Sequence, residues 1–316
     1  MTSSPQPQSD ITPETLAAAL AKTGYLADDE LVLIAWLAMK LERPLMLEGP
    51  AGVGKTDFAR AVATGLDRPF FRLQCYEGLD ESKALYEWDY AKQMLYTQLL
   101  RGVADTQTNG VSSIGEAIDR LGATETAFFS KRFLIARPLL AALSSEKPAV
   151  LLIDEVDRAD PEFEAFLLEM LAENQVSIPE IGTIRPTHPP FVVLTTNATR
   201  EMTDALRRRC AHAFLDYPPP SRELAIIKAR VPGISEKLAA DLTAVASNIR
   251  KMALRKSPSI SEAIDWGRAL VTLGANALDK KTAVATLGLF LKHDEDRRAV
   301  AARIDAIVPD ETKRSA

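Results

Sequence analysis

Short apolar runs alternate with amphipathic stretches up to about residue 218, and helical periodicity alone continues beyond it. Leu45–Leu47, Phe70–Leu73, Ala149–Ile153, Phe191–Leu194 and Ala213–Leu215 are apolar-rich runs bounded by turn formers or charges. Such runs suit strands buried on both faces of a mostly parallel sheet. Between the first two, Phe58, Ala59, Val62, Ala63 and Leu66 recur at helical spacing. Between the third and fourth, Asp160-Pro161 reads as an N-cap with proline at the first helical position. Phe163, Phe166, Leu167, Met170 and Leu171 then line one helix face. Further helices are predicted from Pro13 to Ala21 and from Asp28 to about Leu41, behind a Ser/Pro/Gln/Thr-rich tail over residues 1–13. The pattern predicts an α/β core with helices covering a parallel sheet.

Two stretches depart from this alternation. Tyr76 to Leu100 reads as helical and carries Tyr86, Trp88, Tyr90 and Tyr96; Gln107 to Ser113 is polar and exposed, and a helix resumes from Gly115 to Leu121. This is an insertion into the core, whose aromatics either grip a partner or simply pack. Residues 221–308 read as helices broken near Pro232, Pro258 and Gly274, which makes a second, all-helical unit.

Composition narrows the classes. A chain of 316 residues, 47% hydrophobic, is long enough for about two domains with real cores. The net charge of −5 argues against a broad basic surface for nucleic acid. It is unevenly placed, with acidic side chains in excess before the Pro218–Pro220 run and basic ones after it. The longest apolar stretch, Leu31 to Met39, is about half of what a membrane-spanning helix needs. The opening residues show neither a basic nor an apolar segment of a secretory signal. Cys75 and Cys210 form no metal-ligand spacing and no disulfide framework. A cytoplasmic protein without membrane insertion is expected.

The candidate chemistry begins at Gly49-Pro50-Ala51-Gly52-Val53-Gly54-Lys55-Thr56. A glycine-rich turn between a strand and a helix lets several backbone N–H groups converge on phosphates beside the positive helix end. Lys55 is placed to reach the β- and γ-phosphates of ATP, and the Thr56 hydroxyl to bind Mg²⁺. The run Val150–Ile153 ends in Asp154 and Glu155, at the strand edge where such sheets bind ligands. Asp154 is placed to hold Mg²⁺ through water and Glu155 to polarise the attacking water. Asn197, closing the next apolar run, is a candidate to orient that water. Arg207-Arg208-Arg209-Cys210 precedes the last strand. It is either a solvated basic turn or the source of an arginine supplied across a subunit interface. Arg209 is the first choice for that role and Arg208 the second.

These elements, in this order, resemble the AAA+ ATPases. The resemblance implies a five-stranded parallel sheet of order 5-1-4-3-2, a C-terminal helical lid, and a ring, commonly a hexamer, with ATP between subunits. It divides the chain into a tail and helix (1–24), a nucleotide-binding core (25–218, with the insertion at about 76–140) and a lid (219–316). Asp154 and Glu155 match the Walker B motif, Asn197 matches sensor 1, and Arg209 matches the finger arginine.

Arg43–Gly49, the inserted helix after the second strand, Ile153–Ala159 and a hairpin over Val176–Ile184 look like the MoxR group. Leu73–Asp80 and Tyr86–Tyr90 look like its CoxD branch. That branch is associated with metal-centre maturation of carbon monoxide dehydrogenase and related molybdenum hydroxylases, alongside a von Willebrand A domain protein. The resemblance thus implies a client metalloenzyme, while the acidic α/β part argues against a nucleic-acid partner. A Rubisco-activating remodeller, a nucleic-acid motor or clamp loader, and a non-enzymatic nucleotide-binding scaffold are the competing readings. One departure stands out. Ser257-Pro258-Ser259-Ile260-Ser261-Glu262 carries serine where the family's lid offers a sensor 2 arginine, leaving Arg255, Lys256 or Arg250 as substitutes.

Overall fold

A computed structural model describes residues 11–96, 98, 131–179 and 181–308. Helix α1 (Pro13–Lys22) opens with a capping box between Thr12 and Thr15 and with Pro13 in its first turn. Helix α2 (Asp29–Lys40) is capped by Asp28, whose carboxylate accepts the Leu31 amide at 2.7 Å. Strand β1 (Leu45–Glu48) runs into the phosphate loop, helix α3 (Lys55–Gly65) and strand β2 (Phe70–Gln74).

The insertion differs from the continuous helix predicted from Tyr76. A single helical turn and a half, α4 (Glu81–Leu85), is followed by β3 (Tyr86–Trp88), which pairs antiparallel with β4 (Leu134–Ala136). Tyr86-Glu87-Trp88 alternates aromatic and charged residues, which favours a pleated strand. Its partner lies some 50 residues away in sequence, so no local periodicity reveals it. Helix resumes only at Tyr90. The predicted polar stretch at Gln107–Ser113, the helix at Gly115–Leu121 and most of the N-terminal tail lie outside the described residues.

Helix α5 (Pro138–Leu143) returns the chain to β5 (Val150–Asp154). Helix α6 (Pro161–Glu173), the hairpin β6 (Val176–Ile178) and β7 (Gly182–Ile184), strand β8 (Phe191–Thr196), helix α7 (Asp204–Arg209) and strand β9 (Ala211–Phe214) complete this part. Asp160 stands at the predicted N-cap of α6, but its carboxylate accepts the Gly78 amide at 2.9 Å instead of capping the helix.

The main sheet is parallel throughout, with order β2-β5-β8-β1-β9. This is the predicted 5-1-4-3-2 arrangement. Every residue of β5 and β8 is buried, as central strands covered on both faces require. Alternation sorts their side chains. Met46, Leu151, Ile153, Val192 and Leu194 face α5 and α6, while Leu45, Leu47, Val150, Leu152 and Val193 face α1, α2 and α3. Helix α1 is part of that second layer, through buried Leu16, Ala19 and Leu20.

Helices α8 (Pro220–Arg230), α9 (Glu236–Arg250), α10 (Ile260–Thr272), α11 (Lys280–Phe290), α12 (Asp294–Ala301) and α13 (Ile304–Ile307) follow. They enclose their own core around Trp266, whose ring stacks on Phe290 at 4.8 Å between centroids. Among the described residues, no helix is long and apolar enough to cross a membrane.

Candidate active site

The site forms where parallel strands β1, β5 and β8 end together. Gly49 leaves β1 with φ 152°, and a Cβ there would lie 1.9 Å from the Leu215 carbonyl oxygen. Only glycine lets the loop pass so close to the end of β9. The loop then turns directly into α3, whose first residue is Lys55.

Lys55 is buried, at 6% exposure, with its ammonium donating to the carbonyls of Gly49 (2.6 Å) and Pro50 (2.7 Å) and to Asn197 Oδ1 (2.9 Å). Burial holds its pKa below the usual lysine value, against the opposing pull of Asp157, Asp154 and Glu155. The Thr56 hydroxyl donates to Asp154 at 3.0 Å, and the Thr195 hydroxyl donates to Asp154 Oδ1 at 2.6 Å. Thr195 in turn accepts the Glu155 amide at 2.9 Å. A cavity of about 170 Å³ opens over Ala51, Lys55, Thr56, Asp154, Glu155 and Asn197. With Gly52 and Gly54, eight of the predicted site residues therefore share one space.

Glu155 has left-handed backbone (φ 55°), uncommon for a residue with a side chain. The turn points its carboxylate away from the strand line, where Gln74 Nε2 and Arg158 Nη1 each donate to Oε2 at 2.9 Å. Asn197 Nδ2 lies 3.5 Å from Glu155 Oε1. Asp157 braces the loop behind Asn197 by accepting its amide (3.4 Å) and the Thr199 amide (3.1 Å). Burial alone would raise the Asp157 pKa; the Thr199 and backbone hydrogen bonds outweigh it and hold the carboxyl below its ordinary value.

A hydroxyl and a carboxylate within hydrogen-bonding distance form an all-oxygen donor pair suited to a hard cation such as Mg²⁺. A second cavity, of about 280 Å³, adjoins the first through Gly52, Gly54 and Ser261. Tyr25, Tyr217, Arg222, Ile226 and Ile264 are among its lining residues, and its mixed aromatic and apolar walls suit the base and sugar of a nucleotide. The sequence reading missed this cavity, because its walls come from the loop before α2, the β9–α8 connection and α10. It also missed Arg72, Gln74 and Thr195. For Arg72 and Gln74 the available signal was their two-residue spacing on β2, which puts both on one face beside Asp154.

Arg208 and Arg209 do not join the cluster. Both are exposed, in the last turn of α7. β9 starts at Ala211 opposite Leu45, whereas the phosphate loop follows Glu48. Arg209 therefore lies near the opposite end of the sheet, about 13 Å away along the strands. Arg43 fixes that end by donating to the carbonyls of Arg208 (2.5 Å) and Arg209 (3.2 Å).

The three sensor 2 substitutes are also elsewhere. Arg250 is bound by Glu223 at 2.6 and 2.8 Å and by the Pro258 carbonyl at 2.8 Å. Arg255 and Lys256 are exposed and line neither cavity. The residue of α10 that meets the phosphate loop is Ser261.

A profile of the AAA domain (dynein-related subfamily) matches residues 44–210, from the residue before β1 to the end of α7. The chain belongs to this family. It is an ATPase with the AAA+ fold. Its relatives include an uncharacterised protein of Staphylococcus saprophyticus, 25% identical over 91% of this chain and 98% of the relative. The protein NorQ of Paracoccus denitrificans is 23% identical over 72% of each chain. The gas vesicle ATPase GvpN2 of Halobacterium salinarum is 26% identical over 65% of this chain and 56% of its own. The resemblance to the AAA+ ATPases read from the motifs therefore holds.

Proposed function

We propose that this ATPase is a CoxD-like member of the MoxR group, coupling ATP hydrolysis to remodelling or metal-centre maturation of a client metalloenzyme. The client class is a molybdenum hydroxylase such as carbon monoxide dehydrogenase, with a von Willebrand A domain protein as working partner. The observation that carries the ATPase part is the convergence of Lys55, Thr56, Asp154, Glu155 and Asn197 on one cavity at the strand ends. The client is supported by the resemblance of Leu73–Asp80 and Tyr86–Tyr90 to that branch.

In this reading residues 49–56 wrap the phosphates with backbone N–H groups, and Lys55 turns from its carbonyl and Asn197 partners toward the β- and γ-phosphates. Thr56, and Asp154 through water, would hold Mg²⁺, which would supply charge neutralisation at the phosphates. Glu155 takes a proton from the attacking water, and Asn197 orients that water. Tyr25 and Tyr217, on the walls of the adjoining cavity, would flank the base.

Arg209, with Arg208 as the alternative, reaches the site of the next subunit in a ring, probed as a hexamer. Such an arginine is worth about 10³–10⁵ in rate in related phosphoryl-transfer systems. The described part of the insertion offers exposed Tyr90 to the client.

The test is to purify the chain with a molybdenum hydroxylase and a von Willebrand A protein encoded beside it. ATP-dependent activation of the hydroxylase, lost with Glu155→Gln, is the expected result. Activation of inhibited Rubisco instead would replace the client, and ATPase stimulation by DNA would replace the class.

A further inference from the structure

Asp154, 2% exposed, is a carboxylate that needs a positive partner. Arg72 supplies one. From β2 it donates Nε at 3.0 Å and Nη2 at 2.6 Å, both to Asp154 Oδ2. Asp154 Oδ1 is already engaged by Thr195 at 2.6 Å and Thr56 at 3.0 Å. The lone-pair sites facing the cavity are thus taken up by hydroxyls and by the guanidinium.

We propose that Arg72 is a counter-ion that competes with the divalent cation for Asp154, so that metal-nucleotide binding requires Arg72 to withdraw. This rests on the reading that Thr56, and Asp154 through water, hold the cation. Parallel pairing sets the contest: Arg72 sits opposite Leu152, two residues before Asp154 on the adjacent strand. Its side chain reaches forward along the sheet to Asp154 Oδ2.

A cation held through water needs a free Asp154 lone pair for that water to donate to, and the guanidinium 2.6 Å from Oδ2 occupies one. One of the two donors must yield. Arg72 is able to, because its side chain is 42% exposed while that of Asp154 is 3% exposed. The guanidinium has a route to water that the carboxylate lacks.

Withdrawal has a second effect. Arg72 Nη2 also holds Gln74 Oε1 at 2.5 Å, and Gln74 Nε2 holds Glu155. Arg72 is therefore a positioning residue for both carboxylates: its departure from Asp154 removes one anchor of the Gln74 amide that restrains Glu155.

The experiment measures Mn²⁺ affinity by electron paramagnetic resonance on the full chain with a saturating non-hydrolysable ATP analogue. Arg72→Ala and Arg72→Gln, confirmed folded by circular dichroism, should bind Mn²⁺ at least about fivefold more tightly, the low end of ordinary coupling between ligands. Arg72→Lys keeps the charge without the fork and should fall between them and the unaltered chain. Unchanged or weaker Mn²⁺ binding in the folded variants overturns the proposal. Should Arg72→Ala not fold, Arg72→Gln and Arg72→Lys decide on the same criterion. Asp154→Asn separates the two levels: retained Mn²⁺ affinity there overturns the ligand reading itself, whereas its loss with no change at Arg72 overturns only the competition.

Discussion

Ser261 donates its hydroxyl to the Gly52 carbonyl at 3.2 Å, and its amide reaches the same oxygen at 3.3 Å. The first turn of α10 thus rests on the phosphate loop, joining the helical C-terminal part to the nucleotide cavity. The fit is close. Gly52 has φ 76°, and a Cβ there would lie 2.3 Å from Ser259 Oγ.

Gly52→Ala should therefore fail in two ways at once. Left-handed backbone costs an ordinary L-residue about 1–2 kcal/mol, and the added methyl must push the start of α10 off the loop. A lower melting temperature and at least about tenfold weaker nucleotide binding are expected, the latter worth about 1.4 kcal/mol. Ser261→Ala removes one hydrogen bond, worth about 1 kcal/mol, and should fold normally with a smaller loss of affinity. Fluorescent-nucleotide titration beside thermal melts checks both.

Glu155→Gln should bind ATP normally and lose turnover by at least about 100-fold, the ordinary worth of a positioned general base. The neutral amide keeps an oxygen for Gln74 and Arg158 and loses the proton acceptor along with the charge paired to exposed Arg158. Lys55→Ala should lose affinity instead. A Glu155→Gln variant that hydrolyses at the normal rate would reassign the base.

Arg209 stands beyond the far end of β1, anchored through its carbonyl by Arg43. In the proposed ring, an arginine placed there would serve a neighbour's site. Arg209→Ala and Glu155→Gln subunits should each be inactive alone and regain part of the ATPase activity when mixed, provided mixed rings form. Arg43→Ala should lower turnover more than nucleotide affinity, because it frees the end of α7 without touching the cavity. No rescue at any mixing ratio would count against a shared site.

Both cysteines should resist alkylation. Burial pushes the Cys75 thiol up to about 12, with the Asp154 charge adding to the effect, and burial pushes Cys210 to about 12 as well. At pH 8 almost no thiolate is present in either. Iodoacetamide labelling followed by mass spectrometry should show no adduct in the native chain and two after denaturation.

The sheet and the phosphate loop were legible because their signals are local. Five short apolar runs, and glycines followed by Lys55-Thr56, each sit within a few residues. Asp154, Glu155 and Asn197 were legible because each closes a strand. Arg72 and Gln74 carry no such mark; their role depends on β2 lying beside β5, a pairing that joins Gln74 to Asp154 across 80 residues. Strand β3 was misread as helix for the same reason, because its partner β4 lies far along the chain. The serine stretch at 257–262 pointed to a missing arginine, but only packing shows Ser261 on Gly52 and Arg250 turned toward Glu223.

That last pair supports a further prediction. Glu223 is 1% exposed on α8 and accepts from Arg250 Nη1 and Nη2, while the guanidinium also lies 5.2 Å from the centre of the Tyr217 ring. Arg250 holds the Pro258 carbonyl as well, immediately before the Ser259 cap of α10. The pair therefore ties the β9–α8 connection to the helix that rests on the phosphate loop. Glu223→Ala leaves a guanidinium buried without its carboxylate and should cost about 3–5 kcal/mol. Replacing both, as Glu223→Leu with Arg250→Met, removes the unpaired charge and should recover most of that loss. Denaturant unfolding of the single and double variants measures the coupling directly. The double variant should still bind nucleotide more weakly than the unaltered chain, because Pro258 loses its tether. Full stability together with full affinity in the double variant would show that the pair does not position α10.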